Sequence, residues 1–85
     1  MPRYYFDIDD GETSVQDEEG LDLPGFDHAR VHAQSVLGDL ARDVVPEDGT
    51  QRRIVVFVRD DTGNTVLRAS LSLVVEAHPS DAAAS

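Results

Sequence analysis

The chain opens on a period of two. From Arg3 to Asp9, Tyr4, Phe6 and Ile8 fall on one face and Tyr5, Asp7 and Asp9 on the other. This is the spacing of a half-buried strand rich in aromatic and β-branched residues. Asp9-Asp10-Gly11 is a turn signal, and Thr13 to Gln16 predicts a short returning edge strand. Asp17-Glu18-Glu19-Gly20 breaks the alternation and predicts a polar loop.

The apolar spacing then changes to that of a helix. Phe26, Ala29, Ala33, Val36, Leu37, Leu40 and Val44 form one stripe at a period of about 3.6 residues. Gly25, after Pro24, can cap the start, and Asp27 in the first turn favours the helix dipole. Pro46 stops the helix, and Glu47 to Thr50 predicts a loop.

Ile54 to Val58 is apolar on both faces, as a central strand is, and Asp60 to Asn64 is a hairpin connection with Gly63 free to take a positive φ. Val66 to Glu76 alternates again, with Leu67, Ala69, Leu71, Leu73 and Val75 inward and Arg68, Ser70 and Ser72 outward. The order predicts an α+β fold, β-β-α-β-β, with one helix packed on one face of a four-stranded, mainly antiparallel sheet. Counting predicted strands along the chain, order 2-1-3-4 puts the doubly apolar third strand inside, with 2-1-4-3 as the alternative. Residues 1–76 form a single domain in this reading, and residues 77–85 a flexible tail.

Pairing Asp60 with Asn64 sets a register in which opposed residue numbers sum to 124. Phe57 then faces Leu67 and Val55 faces Ala69 beneath the helix. Ile54, Val56, Val58 and Val66 fall on the far face, joined by Tyr5 and edged by Arg68. One helix cannot cover both faces of such a sheet, so this stripe is the predicted surface for self-association or for a protein partner.

Charge narrows the choice of partner. Nine acidic residues and no Lys or Arg lie between Arg3 and Arg30, giving −9 over 26 residues against −1 over the other 59. An acidic arm repels phosphate backbones and anionic lipid and attracts cations or basic protein surfaces. Neither nucleic acid nor a membrane is therefore expected as a partner. No apolar run approaches the roughly 20 residues of a membrane span, and no signal-peptide core stands near Met1. The expectation is a soluble cytoplasmic protein. All seven basic residues are Arg, and there is no Cys. Disulfides, thiolate metal sites and lysine Schiff bases are thereby excluded.

The opening Pro2-Arg3-Tyr4-Tyr5-Phe6-Asp7, the Asp17-Glu18-Glu19-Gly20 loop before Leu21, and Val58-Arg59-Asp60 leading to Gly63 resemble a family of short bacterial proteins known only as a domain of unknown function. The resemblance covers Pro2 to Glu76. It implies a stand-alone domain and carries over no catalytic or binding residue. At Gly25 an acidic or polar helix cap would be expected from it.

Chemistry has few footholds. His28 and His32, at i and i+4, share a helix face with Asp39 and could bind a transition metal. The zincin motif fails because Ala29 follows His28. An EF-hand loop with Gly11, Gly20, Gly49 or Gly63 as its sixth residue would begin on Phe6, Val15, Val44 or Val58, none of which can ligate calcium. No Gly-x-Ser-x-Gly elbow and no Gly-rich phosphate loop occurs. The chain reads as a non-enzymatic interaction or regulatory protein without a cofactor or a defined small-molecule substrate. A metal-binding role through His28 and His32 is the alternative.

Overall fold

The computed structural model describes residues 1–43 and 51–76. The predicted tail, the helix stop at Pro46, the following loop and the stripe residue Val44 lie outside the described residues. The elements are β1 (Arg3–Asp9), β2 (Ser14–Val15), β3 (Leu21–Asp22), α1 (Phe26–Asp43), β4 (Gln51–Arg59) and β5 (Thr65–Val74).

The sheet is antiparallel, in order β2-β1-β4-β5, with β3 also pairing β1. This is the expected 2-1-3-4 order with one addition. Leu21 and Asp22, which follow the predicted polar loop and carry no predicted element, pair with Tyr4 and Arg3. The strand is two residues long, too short for a periodic signal. The helix begins after Gly25, whose carbonyl accepts the Ala29 N–H at 3.2 Å, and it buries Ala29, Ala33 and Leu37 against the sheet. Small residues on that stripe let the helix approach the strands closely.

The core face differs from the expected one. Tyr4 and Phe6 of β1 pack with Ile54, Val56 and Val58 of β4 beneath α1. Ile54 is 3% exposed, and Val56 and Val58 are fully buried. The turn is as expected, with Asp60 N–H donating to the Asn64 carbonyl at 2.9 Å. One pair further in, however, Arg59 faces Thr65 while Val58 faces Leu67. Val66 is the extra residue of a β-bulge, and the register sum rises from 124 to 125. Because side chains alternate with period two, that single step leaves Leu67 and Ala69 inward as expected but exchanges the faces of β4. Ile54, Val56 and Val58 are thus core residues, not a partner surface. Val55 and Phe57 take the open face.

Candidate functional site

Two regions of the surface bear on function, and they sit at opposite edges of the sheet. The first gathers the motif residues around the acidic loop. Arg59 at the end of β4 donates from Nε to Asp7 Oδ2 at 2.6 Å and from Nη2 to Asp7 Oδ1 at 3.1 Å. It also donates to the Asp17 carbonyl at 3.0 Å. Its guanidinium lies over the Tyr5 ring, 5.1 Å from the centroid. Both side chains of the Asp7–Arg59 pair are only 21% exposed, and two-point geometry makes such a pair stronger than a surface contact.

Asp17 continues the network. Its Oδ1 accepts the N–H groups of Glu19 and Gly20, both at 3.1 Å, and its Oδ2 accepts the Phe6 N–H at 3.1 Å. Along the outer edge of β1, β2 pairs with Ile8 and Asp9, while β3 pairs with Arg3 and Tyr4. The Asp17 carboxylate fills the gap between them. Arg3 closes the other side of the loop, donating to both oxygens of Asp22 at 2.9 and 3.2 Å and to the Glu19 carbonyl at 2.9 Å. Gly20 has φ +76°, and a Cβ there would lie 2.8 Å from both Arg3 Cγ and Tyr5 Cε2. Only glycine combines that backbone with that approach.

The electrostatics follow the contacts. Arg59 holds Asp7 below its ordinary pKa, outweighing partial burial. For Asp17 burial pushes upward, yet the N–H groups of Gly20, Phe6 and Glu19 carry it below its ordinary value. Arg3 lowers Asp22, the Thr13 and Glu12 amides lower Asp10, and the Thr62 hydroxyl lowers Asp60. Arg52 reaches Glu12 at 3.0 Å. Much of the acidic arm is therefore built into turns and ion pairs, and Glu18 and Glu19 remain as exposed acids of the loop.

The histidines are not brought to a common centre. His32 is half-buried, its ring edge-on to Phe6 with centroids 4.7 Å apart, while His28 is exposed. Asp39 pairs with Arg42. Among the described residues no three His, Asp or Glu side chains are grouped as ligands of one ion.

The second region is the sheet's other edge. Of the expected partner surface, Tyr5 and Arg68 lie on the open face, where they stack with Arg59 and Phe57 respectively. Val66 is the exposed bulge residue. Val66 and Arg68 belong to β5, the end strand of the sheet, on whose outer edge no strand pairs among the described residues. Its Leu71 and Leu73 are each 43% exposed. Sequence reasoning missed the Arg3, Asp7, Asp17 and Arg59 roles. Asp17-x-x-Gly20, a side-chain-capped turn followed by a positive-φ glycine, was the available signal.

The geometry defines a small α+β protein whose acidic loop is fastened to the sheet by arginines. Residues 3–72 match the model of a domain of unknown function (DUF6894), and the chain belongs to that family. No curated protein and no solved structure matches it. Among the described residues no helix is long and apolar enough to cross a membrane.

Proposed function

We propose that this is a non-enzymatic interaction protein that works as a homodimer joined through the outer edge of β5. The observation that carries the reading is the contrast between the two sheet edges. The β1 edge is closed by two-residue strands, the Asp17 carboxylate and the acidic loop, devices that discourage edge pairing. By contrast, β5 is ten residues long, contains no proline and has Arg68 as its only charge. An edge of that kind is a template for strand addition.

Charge favours the same edge. Residues 1–25, which hold β1 to β3, contain eight acids and one Arg, a net of −7, whereas residues 26–85 contain nine acids and six Arg, a net of −3. Two copies therefore repel least when β5 faces β5. The non-enzymatic reading is supported by the carboxylates. Each one whose acidity departs from normal is moved downward, so it is held as an ion-pair or amide partner and not near neutrality for proton transfer.

The expected affinity is modest. A paired edge of this length forms about eight main-chain hydrogen bonds, worth about 1 kcal/mol each net. Association costs roughly 4–15 kcal/mol, so burial of the exposed leucines decides the balance. A dimer in the micromolar range, about −8 kcal/mol, requires that burial to supply at least about 4 kcal/mol. Sedimentation equilibrium at 5 to 500 micromolar, loading concentrations chosen around that range, tests it. Leu71→Lys is expected to give monomers that remain folded, with a cooperative thermal melt. A wild-type chain that stays monomeric throughout refutes the reading.

A further inference from the structure

We infer that the two copies pair β5 antiparallel about a two-fold axis through Ser70, a register that rests on the dimer proposed above. When a strand pairs with its own copy, opposed residue numbers have a constant sum, and side-chain faces match only if the sum is even. An odd sum would set Leu71 and Leu73 against serines or Arg68 on the wrong face. The bulge at Val66 ends the regular ladder at Leu67, so the usable edge runs from Leu67 to Val74.

Within that span two registers align seven residues each. An axis at Leu71 leaves Leu67 unpaired and places Arg68 opposite Val74. An axis at Ser70 places Leu67 opposite Leu73, Ala69 opposite Leu71 and Arg68 opposite Ser72. Apolar side chains then meet on the helix side, large against small at Ala69–Leu71, and the one charge meets a hydroxyl on the open side. An axis at Arg68 would oppose two guanidinium groups, and any shift further along shortens the ladder. Ser70 also stands opposite Val55 on its inner side, within the long unbroken part of the β4–β5 pairing. The axis residue therefore sits in a regular, uninterrupted ladder with β4.

Because the chain has no cysteine, single-cysteine variants report this register directly. Opposed Cα atoms in an antiparallel pair are about 4.5–5.5 Å apart, within the range a disulfide spans. Ser70→Cys is therefore expected to form a covalent dimer on mild oxidation. The Ser72→Cys copies would be offset by four residues, about 13 Å along the strand, out of reach of each other. Oxidation of Ser70→Cys is expected to be at least about tenfold faster than that of Ser72→Cys or Leu71→Cys, because only its thiols are opposed. Sedimentation of each variant under reducing conditions is measured first. If the variants are dimeric but Leu71→Cys or Ser72→Cys links faster, the Ser70 axis is overturned while the dimer stands. If all are monomeric, both fall.

Discussion

A single carboxylate, Asp17, satisfies three backbone donors at once, two in its own turn and one on β1. Its own amide in turn donates to Asp7 at 2.9 Å, the partner of Arg59. Asp7 thus holds the loop and the end of β4 together, and its ionisation is linked to folding. Its pKa is lower in the folded chain than in the unfolded one. The stability it contributes is fully present above the unfolded carboxylate value, about 3.9, and is lost as pH falls through the lower folded value. Thermal melts of the wild type and Asp7→Asn should therefore differ most from pH 5 to 8 and converge toward pH 2. Taking the difference between the two removes the general repulsion of a −10 chain, which mild acid relieves in both. A gap that stays constant down to pH 2 would show that Asp7 acts through shape and not charge. Of this network only the Asp17-x-x-Gly20 turn left a signal in the sequence. An acid on the first strand and an arginine 52 residues later carry no pairing signal until the sheet brings them together.

At the scale of elements, periodicity revealed β1, α1 and the β4–β5 hairpin with its turn, and the doubly apolar β4 led to the correct strand order. What it could not reveal is which face of β4 is covered. Ile54, Val56 and Val58 are apolar, and so are Val55 and Phe57, so the pattern itself is ambiguous. Turn chemistry was the remaining guide, and a one-residue bulge beside Val58 reversed it. The bulge resolves the ambiguity in favour of packing three β-branched residues under α1 and leaves Phe57 to the Arg68 guanidinium, 5.8 Å from its centroid. The two registers predict opposite mutational costs. With Val58 fully buried, Val58→Ala should lose about 2–3 kcal/mol, the transfer of two methyl groups plus a cavity contribution. Val66→Ala, at the exposed bulge, should lose under about 0.5 kcal/mol. Urea unfolding of the two variants measures the difference. Equal small losses would mean that both side chains face solvent, as the uninterrupted register of 124 requires.

The whole molecule is electrically lopsided in a way that composition alone overstated. Ion pairs to Arg3, Arg52 and Arg59 neutralise part of the acidic segment and turn it into the fastening of one sheet edge. The negative charge that remains is concentrated on Glu18, Glu19 and other exposed acids of the same half, while the sequence after residue 25 carries only −3 of the −10. One end of the molecule is thus guarded by both geometry and charge, and the other by neither. A dimer built on β5 keeps the acidic halves apart but still brings two chains of −10 together. Screening shortens the range of that repulsion from about 30 Å at 0.01 M salt to about 8 Å at 0.15 M. Dimerisation should therefore tighten as salt rises, with the dissociation constant falling several-fold between 10 and 150 mM sodium chloride and levelling above that. A dimer held by contacts between one copy's acids and the other's arginines would behave in the opposite way, weakening over the same range. Sedimentation equilibrium across that salt series separates the two cases. Arg68→Glu sharpens the result, because it replaces a positive charge beside the axis with a negative one and takes each copy from −10 to about −12. In low salt it should abolish association, and at 0.5 M salt most of the association should return. Failure to return would mean that Arg68 makes a specific contact across the interface beyond its charge, such as one with the Ser72 hydroxyl opposite it.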